Sequence, residues 1–127
     1  MKKLKTIKIS DVKVSLYLWD CKKEEDILRM RKRFPKQFKR KGLEAFKEEH
    51  SGFFMTETKD KWVIAINKNG KKNPLKNVLP HEINHMSDVV ADILGQGLIE
   101  SSEIRSTLVG DTYEELSEAL ERELQNN

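Results

Sequence analysis

The run Asn77-Val78-Leu79-Pro80-His81-Glu82-Ile83-Asn84-His85-Met86-Ser87-Asp88-Val89-Val90-Ala91-Asp92-Ile93-Leu94 decides the organisation of this chain. Ile83, Met86, Val90 and Ile93 recur at helical spacing and form one apolar stripe, so the run predicts an amphipathic helix. Asn77 is placed to cap it, which sets Pro80 in the first turn, where a missing N–H costs nothing. Gly95 or Gly97 would end it. His81 and His85 are four residues apart, so their rings project one turn apart from one face, on the side away from the stripe.

Upstream, Val12 to Leu18 alternates apolar and other residues with period two and reads as a strand with one face in the core, while Leu4 to Ile9 is a weaker strand before it. From Glu24 the spacing becomes helical through Ile27, Met30 and Phe34. Acids lead this segment and Arg31, Lys32 and Arg33 close it, as the helix dipole prefers. Pro35 would end that helix. Leu43 to Glu49 suggests another short helical piece. Phe53 to Thr58 and Trp62 to Asn67 are β-prone runs joined by Lys59-Asp60-Lys61, a hairpin pattern, and Asn67-Lys68-Asn69-Gly70 breaks the structure after it.

Downstream, Ser101 or Ser102 can cap a last helix with Leu108, Leu116, Leu120 and Leu124 on its apolar side. Gly110 followed by Thr112-x-x-Glu115 could restart it as a second piece. The expected class is therefore α+β: a small twisted, mostly antiparallel N-terminal sheet with a helix, then the histidine-bearing helix and a C-terminal helix. With 127 residues and 37% hydrophobic content, one core and one domain over residues 1–127 are expected. Its sheet-containing part would span about 1–70 and its helical part about 74–125.

Cys21 is the one cysteine, so no disulfide can close within the monomer. Lysines at 5, 8 and 13 interrupt any apolar stretch that could follow the basic start. No run is long and apolar enough for a membrane span, and the expected location is the cytoplasm, without secretion. Charge is distributed unevenly. Residues 1–76 carry 22 Lys and Arg against 10 Asp and Glu, whereas residues 77–127 carry 2 against 11. A basic half of this kind can attract nucleic acid or an acidic partner by steering.

His81-Glu82-Ile83-Asn84-His85 has the form H-E-x-x-H, in which two helical imidazoles can meet one zinc at about 2.0–2.1 Å. Glu82 lies one position round the helix from His81, where it can take a proton from water at the metal without ligating it, as a general base does. Two histidines do not complete a catalytic zinc site, so a third protein ligand is expected. Asp88 is about 10 Å along the helix axis from His81, too far for a short side chain. In metzincins the third ligand follows His85 by six residues, but Ala91 stands there and Asp88 replaces their glycine, which excludes that class. A helix returning after the glycine turn could bring Glu103 to the histidines, with Glu100, Asp111 and Glu114 as competitors. His50, in Glu49-His50-Ser51-Gly52, reads as a loop residue.

The hairpin, the H-E-x-x-H helix, the glycine turn and a following helix with an early glutamate together resemble the gluzincins. The closer resemblance is to very short phage-encoded H-E-x-x-H proteins, in which the glutamate is followed by an aromatic, a leucine and a glycine at fixed spacing. Here Glu103, Leu108 and Gly110 stand in that register, and Thr107 replaces the aromatic. The resemblance implies a minimal zincin-like fold, one Zn2+ per chain held by His81, His85 and Glu103, and hydrolysis of a peptide or protein substrate with Glu82 as base. It implies the cytoplasm of a bacterial host. It also implies that Phe53, Phe54, Met55 and Thr56 lie on an edge strand that binds extended substrate. The alternative expectation is a nonenzymatic zinc module binding a host protein or nucleic acid through the basic N-terminal half, where Lys22 to Lys41 holds ten Lys or Arg in twenty residues. A structural site has no use for Glu82, which separates the two.

Overall fold

Four strands form one mixed sheet: β1 (Lys2–Ile9), β2 (Val12–Trp19), β3 (Gly52–Thr58) and β4 (Lys61–Asn67), in the spatial order β1-β2-β4-β3. The structure is a computed structural model and describes residues 1–9, 11–42, 46, 51–94 and 99–126, the side chains of 93–94 and 99–109 excepted. β1 pairs antiparallel with β2 and β3 antiparallel with β4, whereas the central pair β2 and β4 is parallel. The helices are α1 (Glu24–Arg33), α2 (Pro35–Lys41), α3 (Leu79–Leu94) and α4 (Ile99–Gln125). The class is α+β, with a mostly antiparallel sheet before the two long helices.

The two central strands are buried on both faces, as strands of a parallel pair usually are. On one face Val14, Leu16 and Leu18 of β2 and Trp62, Ile64 and Ile66 of β4 form a core with Leu79, Ile83, Met86 and Val90 of α3 and Leu116 and Leu120 of α4. On the other, Tyr17, Trp19, Val63 and Ala65 meet Ile27 and Met30 of α1, Phe34, and Phe38 of α2. Phe46 joins this second core, its ring stacked on Phe38 at 4.0 Å and its carbonyl accepting from Trp19 Nε1 at 3.3 Å. The expectation that Val12 to Leu18 buries one face is corrected. Both parities of β2 carry large apolar side chains, and α1 and α2 cover the second set.

Three helix boundaries also differ from expectation. Pro35 does not merely stop α1; it opens α2, where its fixed φ suits a first helical position. The cap before α3 is Asn73 and not Asn77: Asn73 Oδ1 accepts from the N–H groups of Leu75 and Lys76 at 3.0 and 2.8 Å. A wide helical turn over Pro74–Val78 then leads into α3, and Asn77 lies inside that turn. α4 runs unbroken through Ser101, Ser102 and Gly110, so neither serine caps it and Gly110 does not divide it. A glycine inside an exposed helix costs about 1 kcal/mol, and burial of Leu116, Ala119 and Leu120 outweighs it. Leu43 to Glu49, Phe46 excepted, and the Gly95 to Gly97 turn lie outside the described residues.

Ion pairs fasten the periphery. Lys2 Nζ meets Glu123 Oε1 at 3.0 Å, joining β1 to α4, and the amino terminus pairs with Asp26 of α1. Arg33 forms a two-pronged pair with Glu57, with Nη2 donating to Oε1 at 2.9 Å and Nη1 donating to Oε2, so that the end of α1 holds β3. This pair holds the Glu57 carboxyl below its ordinary value of 4.5. A depressed folded-state pKa contributes stability above the ordinary value that is lost as pH falls through the folded one. Because both groups are partly exposed, the contribution is about 0.5–1 kcal/mol. Urea unfolding at pH 7 and at pH 3 should therefore show a larger acid loss in wild type than in Glu57→Gln, by about that amount. Equal losses would show that the pair adds nothing.

Candidate metal centre

The apolar stripe of α3 fixes the rotation of that helix on the sheet. With Leu79, Ile83, Met86 and Val90 against β2 and β4, the positions of His81 and His85 point outward, and both side chains are exposed. The two rings meet edge to face at 4.6 Å between centroids, and their Nε2 atoms are 3.0 Å apart. Two nitrogens bound to one tetrahedral zinc at about 2.0–2.1 Å lie about 3.3 Å apart, so a slight opening of the pair would seat the ion. The expected geometry of the two histidines is present.

Glu82 behaves differently from its neighbours. Lying three residues after Leu79 and four before Met86, it falls at the seam between the apolar stripe and the histidine face, and it is 5% exposed. The histidines lie on the solvated side, as expected, and Glu82 does not. Glu82 Oε1 lies 3.9 Å from His81 Nε2, and Oε2 is buried without a hydrogen-bond partner among the described residues. Burial pushes the carboxyl above the usual carboxylate range, while His81, His85 and Lys41 pull it back. An unpaired buried carboxylate oxygen costs about 1–3 kcal/mol or more, a cost that a cation beside it would offset.

His81, Glu82 and His85 form a group that could hold a metal ion, their ligand atoms all lying within 4.8 Å of one another. Imidazole nitrogens and a carboxylate are zinc donors, so the residues fit that ion. Among the described residues no other histidine, cysteine or acid joins the group. Asp111 and Glu114 are exposed on α4. Glu103 lies in the first part of α4, but its side chain, like that of Glu100, is outside the described residues, as is His50.

The group lines a cleft of about 1000 Å³ between α3, the edge strand β3, α2 and the segment leading into α3. β3 is the outer strand of the sheet on that side. Phe53 and Phe54 line the cleft with Ser51 and Gly52. Phe53 is 4% exposed, its ring turned to Phe34 at 5.4 Å, and Phe54 packs edge-on against Trp62 at 5.9 Å. Both rings thus serve packing, and backbone is what this strand can offer a ligand. Met55 is half-buried against the second core and Thr56 is exposed; neither lines the cleft. Asp88 lines the cleft without joining the histidine group.

Sequence reasoning missed two contributors to this site. The first is Gly52. A Cβ placed there would come within 2.6 Å of Val78 Cγ1, 2.9 Å of the Ala65 carbonyl oxygen and 3.6 Å of Glu82 Cγ. Glycine at this position is what lets Val78, in the turn before α3, close onto the edge of the sheet beside Glu82, and in sequence it looks like any glycine before a strand. The second is a set of cations: Arg40 and Lys41 from α2, and Lys71 and Lys72 from the segment before α3. Desolvation by burial pushes the Lys41 ammonium below its ordinary value; Glu82 opposes this and Arg40 adds to it. No sequence signal separates these four from the many solvated lysines around them.

Compared with protein-family models, with curated proteins and with solved structures, the chain matches none. Among the described residues no helix is long and apolar enough to cross a membrane. What stands is a possible metal-binding His-Glu-His group on a helix, in a cleft beside a sheet edge.

Two glycine substitutions should move stability in opposite directions. Gly52→Ala forces a methyl group against Val78 and the β4 backbone, and should cost about 1–3 kcal/mol in urea unfolding. Gly110→Ala meets nothing within 4 Å, and should stabilise the helix by about 0.5–1 kcal/mol. A neutral Gly52→Ala would contradict the close approach of Val78, in the turn before α3, to the sheet.

Proposed function

We propose that this chain is a zinc-dependent metallopeptidase-like protein that hydrolyses peptide bonds, with His81, His85 and Glu103 holding the metal and Glu82 acting as general base. The observation that carries the reading is the convergence of the two Nε2 atoms at 3.0 Å beside a buried Glu82 oxygen that has no hydrogen-bond partner among the described residues. With Glu103 completing the ligand set, Glu82 is left beside the metal as a base, a role that a purely structural site does not need. The resemblance to gluzincins and to short phage-encoded H-E-x-x-H proteins supplies Glu103, and the packing of α4 on α3 is consistent with it.

Zinc, when bound, supplies a Lewis acid that polarises a carbonyl and acidifies water. The Glu82 carboxylate takes one proton of the attacking water and returns it to the departing amine nitrogen, as the water oxygen bonds to the carbonyl carbon and the C–N bond breaks. Its upward-shifted carboxyl suits this exchange, because a base works best with a pKa near the working pH. The outer backbone of β3 pairs with substrate in extended form, a general mode of peptide recognition. His81 and His85 would hold the metal through Nε2.

Purified protein should carry one zinc per chain, and His81→Ala or His85→Ala should abolish stoichiometric binding. Glu82→Gln keeps size but cannot accept the proton, so zinc should remain while peptide hydrolysis falls by about 10² to 10⁴. Glu103→Gln should lower zinc affinity first and activity as a consequence. Wild-type zinc affinity in Glu103→Gln would show that another acid completes the site. Unchanged hydrolysis in Glu82→Gln would overturn the mechanism.

A further inference from the structure

Among the described residues, the cleft that holds the histidines is lined by four cations, Arg40, Lys41, Lys71 and Lys72, against two carboxylates, Glu82 and Asp88. Glu82 is buried, so the surface a ligand first meets is dominated by positive charge. The cations come from separate elements, α2 and the segment between β4 and α3. That second segment is fixed at both ends. Asn67 Oδ1 accepts from the N–H groups of Cys21 and Asn69 at 3.2 and 3.1 Å, and Asn69 Nδ2 donates to Asp20 Oδ1 at 2.7 Å. Beyond Lys72, Asn73 caps the turn into α3. Lys71 and Lys72, both exposed, are therefore held at the cleft by hydrogen bonds on either side of them.

From this arrangement we infer that the site takes an acidic peptide: an extended segment with Asp or Glu side chains flanking the bond laid over the histidines. The inference rests on the peptidase reading for the use of the site, but its charge argument is independent of turnover. A single-stranded nucleic acid would match the charge equally well. It is disfavoured because such ligands rely on stacking bases on open aromatic faces, and the two aromatic residues lining this cleft, Phe53 and Phe54, are occupied by Phe34 and Trp62. The edge of β3, by contrast, offers main-chain groups that suit a peptide.

The test uses binding to full-length, zinc-loaded Glu82→Gln protein, so that no probe is consumed. Three fluorescent decapeptides of equal length are compared, built from Ala with Glu, with Gln or with Lys, together with a ten-nucleotide oligo-dT. The Glu peptide should bind about tenfold tighter than the Gln peptide at low salt, weaken as salt rises, and exceed both the Lys peptide and the oligonucleotide. Lys71→Glu/Lys72→Glu, at exposed positions, should reverse the preference between Glu and Lys peptides; Arg40→Glu, on the other element, should weaken the Glu peptide by itself. Equal binding of Glu and Gln peptides, a preference unmoved by these reversals, or tighter binding of the oligonucleotide would overturn the inference. Wild-type protein that binds the Glu peptide selectively yet never cleaves it would defeat the peptidase reading and leave this one standing.

Discussion

Burial of Leu79, Ile83, Met86 and Val90 against the central strands sets the rotation of α3, and the site depends on that rotation. A helix turned by one position would bury an imidazole or expose the core stripe, and either change costs more than any interaction at the surface. With the stripe seated, His81 and His85 must point over the edge of the sheet. Glu82 must fall at the seam. Gly52 completes the constraint by letting Val78, just before α3, close onto the sheet without a side chain between. The chemistry of the cleft is thus a consequence of hydrophobic packing on the opposite side of the same helix.

The sheet has its own logic. Parallel pairing of β2 with β4 places the two most apolar strands at the centre, where α1 and α2 cover one face and α3 and α4 the other. That leaves β1 and β3 as the edges. β1 is rich in lysine, a residue that discourages edge-to-edge pairing, and it is tied to α4 through Lys2 and Glu123. β3 is held by Arg33 through Glu57 and opens onto the cleft. The two edges are therefore unequal, and β3 is the one beside the histidines.

Much of this was legible in the sequence where the governing interactions are local. Helical periodicity found α3, and four-residue spacing brought His81 and His85 together. The hairpin of β3 and β4 followed from two β-prone runs around Lys59-Asp60-Lys61. What could not be read depends on tertiary contact. The second buried face of β2 exists because α1 and α2 cover it. The sequence points to Asn77 as the cap, and Pro74 together with the wide turn decides for Asn73. Gly110 looks like a break until the packing of Leu116 and Leu120 carries the helix through it. The buried state of Glu82, the close approach at Gly52 and the gathering of Arg40, Lys41, Lys71 and Lys72 join segments far apart in the chain.

The central claim is that α3 presents two imidazoles to one metal ion. X-ray absorption at the zinc edge, on full-length protein loaded with one equivalent of zinc, reads the ligand shell directly. The account predicts two imidazole nitrogens at about 2.0–2.1 Å with oxygen completing the shell, and loss of imidazole scattering in His85→Ala. A shell made of oxygen alone, or a spectrum unchanged by His85→Ala, would contradict it.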